Sequence, residues 1–212
     1  MNNRFILRIV LYLIVLVITV WILLKSNKTT TRKNAPHRTH IPVTVNYDST
    51  ALKYTEAFQY SLANGFRTDF AILIDLSMHS GNYRFFAMDL DNKKQLIKGL
   101  VAHGHCRSTD NRFAQFSNEL GSNCSSLGRF RIGKKYVGQY GTSYKLHGLV
   151  TTNSNALERF VVLHGDLCVP EVAQEDDICL SEGCPTVNPL VLKQMEPYLD
   201  TNGKPILLWI YN

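Results

Sequence analysis

Acidic residues are missing from the first 40 positions of this 212-residue chain. The same segment holds seven of the 23 Lys and Arg residues, so residues 41–212 carry 16 basic side chains against all 17 acidic ones. The formal net charge of +6 therefore belongs to the N-terminal fifth of the chain. Because a protein that coats nucleic acid needs a basic surface on its folded domain, this distribution argues against nucleic acid as a partner.

The N-terminal hydrophobic run lacks the small residues that precede a signal-peptidase cleavage site. Residues 5–24 read FILRIVLYLIVLVITVWILL, and about 20 apolar residues are enough to span a membrane as a helix. We therefore predict an uncleaved signal anchor, one transmembrane helix within residues 1–25, with a cleaved signal peptide as the alternative. A polar tether over residues 26–45 and a single domain over residues 46–212 would follow it.

The chain has no internal repeat, and past residue 65 it shows little helical periodicity. Short strand-like runs with Gly turns predict a mainly β fold, a sandwich or barrel with a few short helices. The predicted helices cover residues 50–63 and 188–199, and a hairpin turn is predicted at Asp91-Asn92. The predicted strands are residues 69–76, 83–90, 95–102, 127–133, 134–138, 144–149, 159–165 and 205–211.

Cysteines are few and odd in number: Cys106, Cys124, Cys168, Cys179 and Cys184. An odd number in an exported chain predicts up to two disulfides and one free thiol. The sequence does not assign the pairs. If Cys184 is the free cysteine, the local pairings are Cys106–Cys124 and Cys168–Cys179.

The segment with the clearest chemistry begins at His164, at the end of an apolar run, and continues through sixteen intervening residues to Ser181-Glu182-Gly183-Cys184. A nearby His can accept the proton of a Cys thiol, which is otherwise mostly protonated at neutral pH. Gly183 would let the main chain approach a substrate, and its amide groups would face a developing oxyanion. The alternative is a disulfide-bonded Cys184 near a core histidine.

This segment resembles the signature of the YkuD-like L,D-transpeptidase catalytic domains, in the branch that has Gly-Cys-Pro at the nucleophile, as Gly183-Cys184-Pro185 does here. The resemblance extends over about residues 51–192. It includes the segments VAHG at 101–104, FSN at 116–118, GS at 121–122, SSLG at 125–128 and YKLHGL at 144–149.

The resemblance implies a YkuD-like β-sandwich or barrel that acts on peptidoglycan stem peptides. Cys184 would form a thioester with release of D-Ala, and transfer to a neighbouring amine would give a 3→3 cross-link. Transfer to water would make the protein an L,D-carboxypeptidase, and a catalytically silent murein-binding module is a further alternative. His164 would be the general base, Ser181 would orient the turn, and Gly183 with Cys184 would frame the oxyanion hole. The resemblance implies no metal and no organic cofactor.

Substrate-binding candidates come from the remaining polar residues. We predict that His103, His147, Gly165 and Arg159 contact substrate, with Arg129 and Arg131 as further candidates for a stem carboxylate. The family often has Arg two residues after the nucleophile, where this chain has Thr186, and some relatives have His at the position of Glu182. A metal site at His103, His105 and Cys106, with His147 and His164, is disfavoured because the spacing lacks a clear fourth ligand pair of the structural-zinc type. An ordinary cysteine peptidase is disfavoured because no Asn or Asp orienter stands at a recognisable spacing.

The resemblance also implies a location, the bacterial cell envelope, with the anchor in the inner membrane and the domain in the periplasm. The charges around the span favour the opposite orientation. Only Arg4 and Arg8 precede or open the span, and five basic residues follow it: Lys25, Lys28, Arg32, Lys33 and Arg38. The positive-inside rule alone would keep the domain in the cytoplasm. A reporter fused after residue 212 would decide between these orientations.

Overall fold

The computed structural model of the protein describes residues 16–21 and 47–212. Its helices are α1 (Tyr47–Ala63) and α2 (Pro189–Leu199), with one 3-10 turn at Thr151–Asn153. The strands are β1 (Ala71–Asp75), β2 (Phe85–Asp89), β3 (Lys94–Gly99), β4 (Val101–Ala102), β5 (Gly128–Gly138), β6 (Gly141–Gly148), β7 (Val162–Gly165), β8 (Thr186–Val187) and β9 (Leu207–Tyr211).

Most residues of the predicted membrane helix, and all those of the predicted tether, lie outside the described ranges. Residues 16–21 are helical with exposed side chains, and the rest of residues 1–25 and all of 26–45 lie outside the described residues. Within the two described ranges, no helix is long and apolar enough to cross a membrane. The anchor and the tether therefore stay predictions. Val45–Asn212 form one compact unit.

The nine strands form one mixed sheet in the order β3-β2-β1-β9-β5-β6-β7-β8-β4. The pairs β1–β9 and β7–β8 are parallel, and the other neighbours are antiparallel. The mainly β architecture is thus confirmed. With only two longer helices in the described domain, the expectation of few helices also holds.

The two ends of this strand order lie next to each other in the chain. β3 ends at Gly99 and β4 begins at Val101, so only Leu100 separates the first strand of the order from the last. A connection this short spans less than about 10 Å, so the two edges of the sheet come close together. The sheet is therefore barrel-like and nearly closed.

Strands β1 and β9 are buried on both faces, which explains their unbroken apolar sequences. On one face, Ile72 and Leu208 belong to the main core. On the other face, Leu73 and Trp209 pack with α1 through Tyr54. A strand covered on both faces needs apolar residues at every position rather than at alternate ones.

The largest differences from the predicted strands concern where the chain is divided into separate strands. Residues 95–102 do not form a single strand, because the chain leaves one edge of the sheet after Gly99 and enters the other at Val101. Residues 127–133 and 134–138 instead form one long strand, β5, with a register shift between Ile132 and Lys135. The predicted hairpin turn lies where expected, between β2 and β3, and Asp89 caps it by accepting from the N–H of Asn92 at 2.9 Å.

Both local disulfide pairings are present. Cys106 is bonded to Cys124 and Cys168 to Cys179. All five cysteines of the chain lie in the described range, so Cys184 is the one free thiol. This arrangement removes the alternative in which Cys184 is a structural disulfide cysteine.

Candidate active site

A cavity of about 380 Å³ lies beside β4, β7 and β8, which are neighbours at one end of the strand order. It brings together His164 and Cys184, which are 20 positions apart in the sequence. The lining residues are Ala102, Gln139, Tyr140, Arg159, Phe160, His164, Asp166, Cys168, Leu180, Ser181, Glu182, Cys184 and Thr186.

His164 is held by contacts on both ring nitrogens. Its Nδ1 lies 3.1 Å from the carbonyl oxygen of Gly165, which accepts only, so Nδ1 carries the proton of the neutral ring. The basic nitrogen is then Nε2, which lies 2.9 Å from Oγ1 of Thr186. Tyr140 stacks on the ring with centroids 4.3 Å apart. Burial lowers the pKa of His164, so the imidazole is neutral and able to accept a proton at neutral pH.

The turn before Cys184 is tied by one hydroxyl. Ser181 Oγ donates to the carbonyl oxygen of Cys184 at 2.7 Å and accepts from the N–H of Gly183 at 3.2 Å. Gly183 has φ +112°, and a Cβ there would lie 2.9 Å from the carbonyl oxygen of Cys124. The turn therefore requires glycine for its conformation and for its close contact.

The thiol of Cys184 sits between two main-chain groups. Sγ accepts from the N–H of Val162 at 3.4 Å and lies 3.8 Å from the carbonyl oxygen of Phe160. Burial raises the pKa of Cys184, and Glu182 raises it further, while the Val162 amide and Arg159 lower it. In the described part of the chain, Cys184 and His164 are not hydrogen-bonded to each other. Such contacts often form only when substrate binds.

Arg159 lies behind the turn that carries Cys184. Its guanidinium donates to the carbonyl oxygens of Ser117 and Cys124, at 2.8 and 2.6 Å, and to the hydroxyls of Ser122 and Ser126. The disulfide at Cys124 thus anchors a segment that contacts both Arg159 and Gly183. These bonds make Arg159 a brace for the turn and a nearby positive charge, rather than a free guanidinium for a stem carboxylate.

Comparison with protein families decides the identity of this domain. A family model described as the L,D-transpeptidase catalytic domain matches residues 43–211, most of the chain and all of the cavity. The chain belongs to this family. The resemblance inferred from the sequence motifs is therefore confirmed.

Solved structures also match the L,D-transpeptidase domain at low identity. One is an L,D-transpeptidase from Xylanimonas cellulosilytica, with 13% identity and a TM-score of 0.39, covering 72% of this chain and 68% of that one. Another is the helical cell shape determining protein Pgp2 from Campylobacter jejuni, with 10% identity and a TM-score of 0.44, covering 68% of this chain and 47% of that one. This chain thus spans about half the length of Pgp2. The curated proteins include no match.

His103, a predicted substrate contact, is buried in the interior of the domain. Its ring is 1% exposed and lies outside the cavity lining, with Nδ1 2.7 Å from a guanidinium nitrogen of Arg84. Burial and the Arg84 charge lower the pKa of His103 to about 4, so it is neutral. Its carbonyl oxygen accepts from the N–H of Ser181 at 2.8 Å. The residue therefore supports the turn before Cys184 through its main chain.

Three further predicted candidates lie outside the cavity lining in the described part of the chain. His147 is half-buried on β6 opposite Arg131. Arg129 stacks over the rings of Tyr60 and Trp209, and Arg131 lines a separate cavity of about 580 Å³. None of these three side chains lines the L,D-transpeptidase cavity within the described residues. Gly165 lies next to it and contributes the carbonyl that orients His164.

The sulfur of Cys106 is not available to the metal site that the sequence disfavours. Cys106 is in a disulfide, and the neighbouring His105 bonds Glu182 through Nε2 at 3.0 Å. Asn123 also reaches Nε2 of His105, at 3.1 Å. These contacts tie the exposed carboxylate beside Cys184 to the disulfide-bonded segments.

Tyr140 and Thr186 are site residues that the sequence reasoning did not select. Thr186 stands two residues after Cys184, where the family often has Arg, and this departure from the family pattern is a usable signal. Tyr140 lies in the β5–β6 hairpin connection, and no motif marks it. Only the packing of that hairpin against β7 places Tyr140 over His164.

Glu182 provides a test of the electrostatics at the thiol. We expect Glu182→Gln to lower the pKa of Cys184, because it removes a negative charge that opposes the thiolate. Because pH 7 lies below the raised pKa of Cys184, a lower pKa gives more thiolate, and alkylation by iodoacetamide should be roughly two- to fivefold faster. The effect is small because Glu182 is largely exposed.

The control is Glu171→Gln, which removes an exposed carboxylate that is not among the groups acting on Cys184. It should leave the alkylation rate unchanged. High salt should reduce the gain from Glu182→Gln, because exposed charges are screened. An unchanged or slower rate in Glu182→Gln at low salt would contradict this account of the thiol.

Proposed function

We propose that this L,D-transpeptidase domain is a cysteine-dependent acyltransferase that forms 3→3 cross-links between peptidoglycan stem peptides with release of D-Ala. The observation that carries the proposal is the meeting of Cys184 and His164 at one cavity. The other four cysteines are disulfide-bonded, so a single thiol is available for chemistry.

The first half-reaction forms the acyl-enzyme. The thiol proton of Cys184 passes to Nε2 of His164 as Sγ bonds to the carbonyl carbon of the third stem residue. The tetrahedral intermediate then collapses, and its C–N bond to D-Ala breaks. The leaving amine takes the proton from the imidazolium of His164. A thioester on Cys184 and free D-Ala result.

The second half-reaction transfers the acyl group. An amine of a neighbouring stem attacks the thioester and gives its proton to Nε2 of His164. The new C–N bond forms as the C–S bond breaks, and the thiolate of Cys184 recovers the proton. If water attacks instead, the product is a tripeptide acid, which is the L,D-carboxypeptidase reaction.

Main-chain geometry supports one donor for the oxyanion. The N–H of Gly183 already donates to Ser181 Oγ. We therefore assign oxyanion stabilisation to the N–H of Cys184 itself, beside the attacking sulfur. This modifies the expectation that Gly183 and Cys184 would both donate.

The charges at the cavity favour a cationic acceptor. Asp166 and Glu182 line it, and Arg159 is the one Lys or Arg among the described lining residues. Because the guanidinium of Arg159 is engaged by four protein acceptors, its charge faces the turn. A protonated amine would therefore be attracted to the cavity mouth. This supports transfer to a stem amine over transfer to water.

Product analysis with the purified full chain tests the proposal. Incubation with disaccharide-tetrapeptide muropeptides should give free D-Ala and dimers linked between the third stem residues, as measured by mass spectrometry. Tripeptide monomers without dimers would instead establish the carboxypeptidase. Unchanged tetrapeptides, with Cys184 shown to be reduced, would favour the silent binding module and overturn the proposal.

A further inference from the structure

The environment of His164 contains a hydroxyl that the two half-reactions above do not use. Thr186 is 2% exposed on β8, and the parallel pairing of β7 with β8 places it directly opposite His164. Its Oγ1 lies 2.9 Å from Nε2 of His164 and 3.3 Å from the carbonyl oxygen of Cys184. The hydroxyl therefore stands between the base and the main chain of the nucleophile.

The proton on Nδ1 determines what this hydroxyl does in the resting enzyme. Since Gly165 holds a proton on Nδ1, Nε2 of the neutral ring has only a lone pair. The hydroxyl of Thr186 must then donate to Nε2. The nitrogen that would accept the thiol proton is thus already hydrogen-bonded, in an orientation set by β8.

After proton transfer, donor and acceptor must exchange in the hydrogen bond between Thr186 and Nε2 of His164. The imidazolium of His164 carries N–H groups on both nitrogens, and a buried charged donor without a partner is costly. The Nδ1–H keeps the carbonyl of Gly165. The Nε2–H needs an acceptor, and a hydroxyl oxygen can accept as well as donate. Its own hydrogen can turn to the carbonyl oxygen of Cys184, 3.3 Å away, which also accepts from Ser181.

We propose that Thr186 is a positioning residue that serves both protonation states of His164, donating to Nε2 of the neutral ring and accepting from Nε2–H of the imidazolium. Only one proton moves between residues, from Cys184 Sγ to His164 Nε2, and the hydroxyl of Thr186 keeps its own hydrogen and rotates. The proposal rests on the proposed roles of Cys184 and His164. It assigns a part to the position where the family often has Arg.

Among the described residues, the other groups packed around the ring do not hydrogen-bond Nε2 in the resting site. Tyr140 covers the face of the ring and Gly165 takes Nδ1. The titratable and charged side chains that line the same cavity are Asp166, Glu182, Arg159, Tyr140 and Cys184. Among the described contacts of Nε2, Thr186 is the partner within hydrogen-bond distance.

Alkylation of Cys184 by iodoacetamide tests the proposal without any muropeptide. In the full chain, Thr186→Val should slow alkylation at pH 7 roughly tenfold, because the imidazolium that accompanies the thiolate loses an acceptor in a buried site. The acidic limb of the alkylation pH profile should also move to lower pH, since His164 becomes harder to protonate. Thr186→Ser keeps the hydroxyl and should restore both the rate and the profile.

A double-mutant comparison separates this role from a structural one. If Thr186 acts through His164, Thr186→Val should have no further effect on alkylation in a His164→Ala background. Ser143→Ala is the matched control, because Ser143 is 1% exposed and lies opposite His164 on β6 but donates to Gly141. It should leave the alkylation profile unchanged.

Each outcome decides the proposal. Wild-type alkylation in Thr186→Val, failure of Thr186→Ser to restore the rate, or equal effects of Thr186→Val with and without His164 would overturn it. If Thr186→Val does not fold by circular dichroism, Thr186→Ala removes the same hydroxyl with a smaller side chain and takes its place. A chain that shows the Thr186 effect but makes no cross-links would refute the proposed function alone.

Discussion

Cys184→Ala should abolish both the release of D-Ala and the formation of cross-linked dimers from tetrapeptide muropeptides. The expected loss is at least about 10³-fold, because the covalent intermediate cannot form and the other cysteines are held in disulfides. The fold should be retained, since the side chain is partly exposed and its removal leaves the main-chain bonds of the turn in place. Muropeptide products would be measured by mass spectrometry and folding by thermal unfolding.

Cys184→Ser is the matched control for side-chain volume. It keeps a hydroxyl at the attacking position but replaces the thiol by a much weaker nucleophile. It should be almost as inactive as Cys184→Ala. A carbapenem adduct should also appear by intact mass only in chains that retain Cys184. Wild-type products from Cys184→Ala would contradict the proposal that Cys184 forms the acyl-enzyme.

His164→Gln should lower the rate of D-Ala release by roughly 10² to 10⁴-fold, the usual contribution of a positioned general base. Glutamine preserves polarity and approximate size, so the buried position opposite Thr186 is not left empty. The loss should appear in kcat rather than in KM, because the ring acts on the proton of the thiol and lies mostly below the cavity surface. Steady-state release of D-Ala measures both constants.

His79→Gln is the matched control for this prediction. His79 is a half-buried histidine that pairs with Asp177 at 2.6 Å and does not line the cavity. It should retain most of the activity. If His164→Gln kept wild-type kcat, another group would have to accept the thiol proton, and the assignment of the base would fail.

The strands show which boundaries can be predicted from the pattern of apolar residues. β1, β2 and β9 were predicted with boundaries within two residues, since runs of consecutive or alternating apolar residues report burial directly. The break between β3 and β4 at Leu100 was missed. Both sides of Leu100 are apolar because both strands are buried, and the local pattern does not record that they lie at opposite edges of the sheet.

The predicted substrate contacts show what residue type and motif position do not reveal, namely the direction of a side chain. Residue type and motif position predict that His103 and His147 contact substrate. Whether a side chain can form a hydrogen bond to substrate depends on the direction in which it points. His103 points to Arg84 in the interior and supports the turn only through its carbonyl. Arg159 reaches the cavity, yet the acceptors that occupy it come from a segment more than thirty residues away.

The sequence by itself determined the family and the mainly β class, and it predicts the His and Cys pair. These depend on residues at short, countable spacings and on apolar periodicity along single strands. The tertiary structure decided which cysteines pair, where the sheet nearly closes, and how His164 is held. Those depend on strand register: the parallel pairing of β7 and β8 places Thr186 against His164. A contact between residues 22 positions apart follows from the pairing of the two strands, which no local pattern encodes.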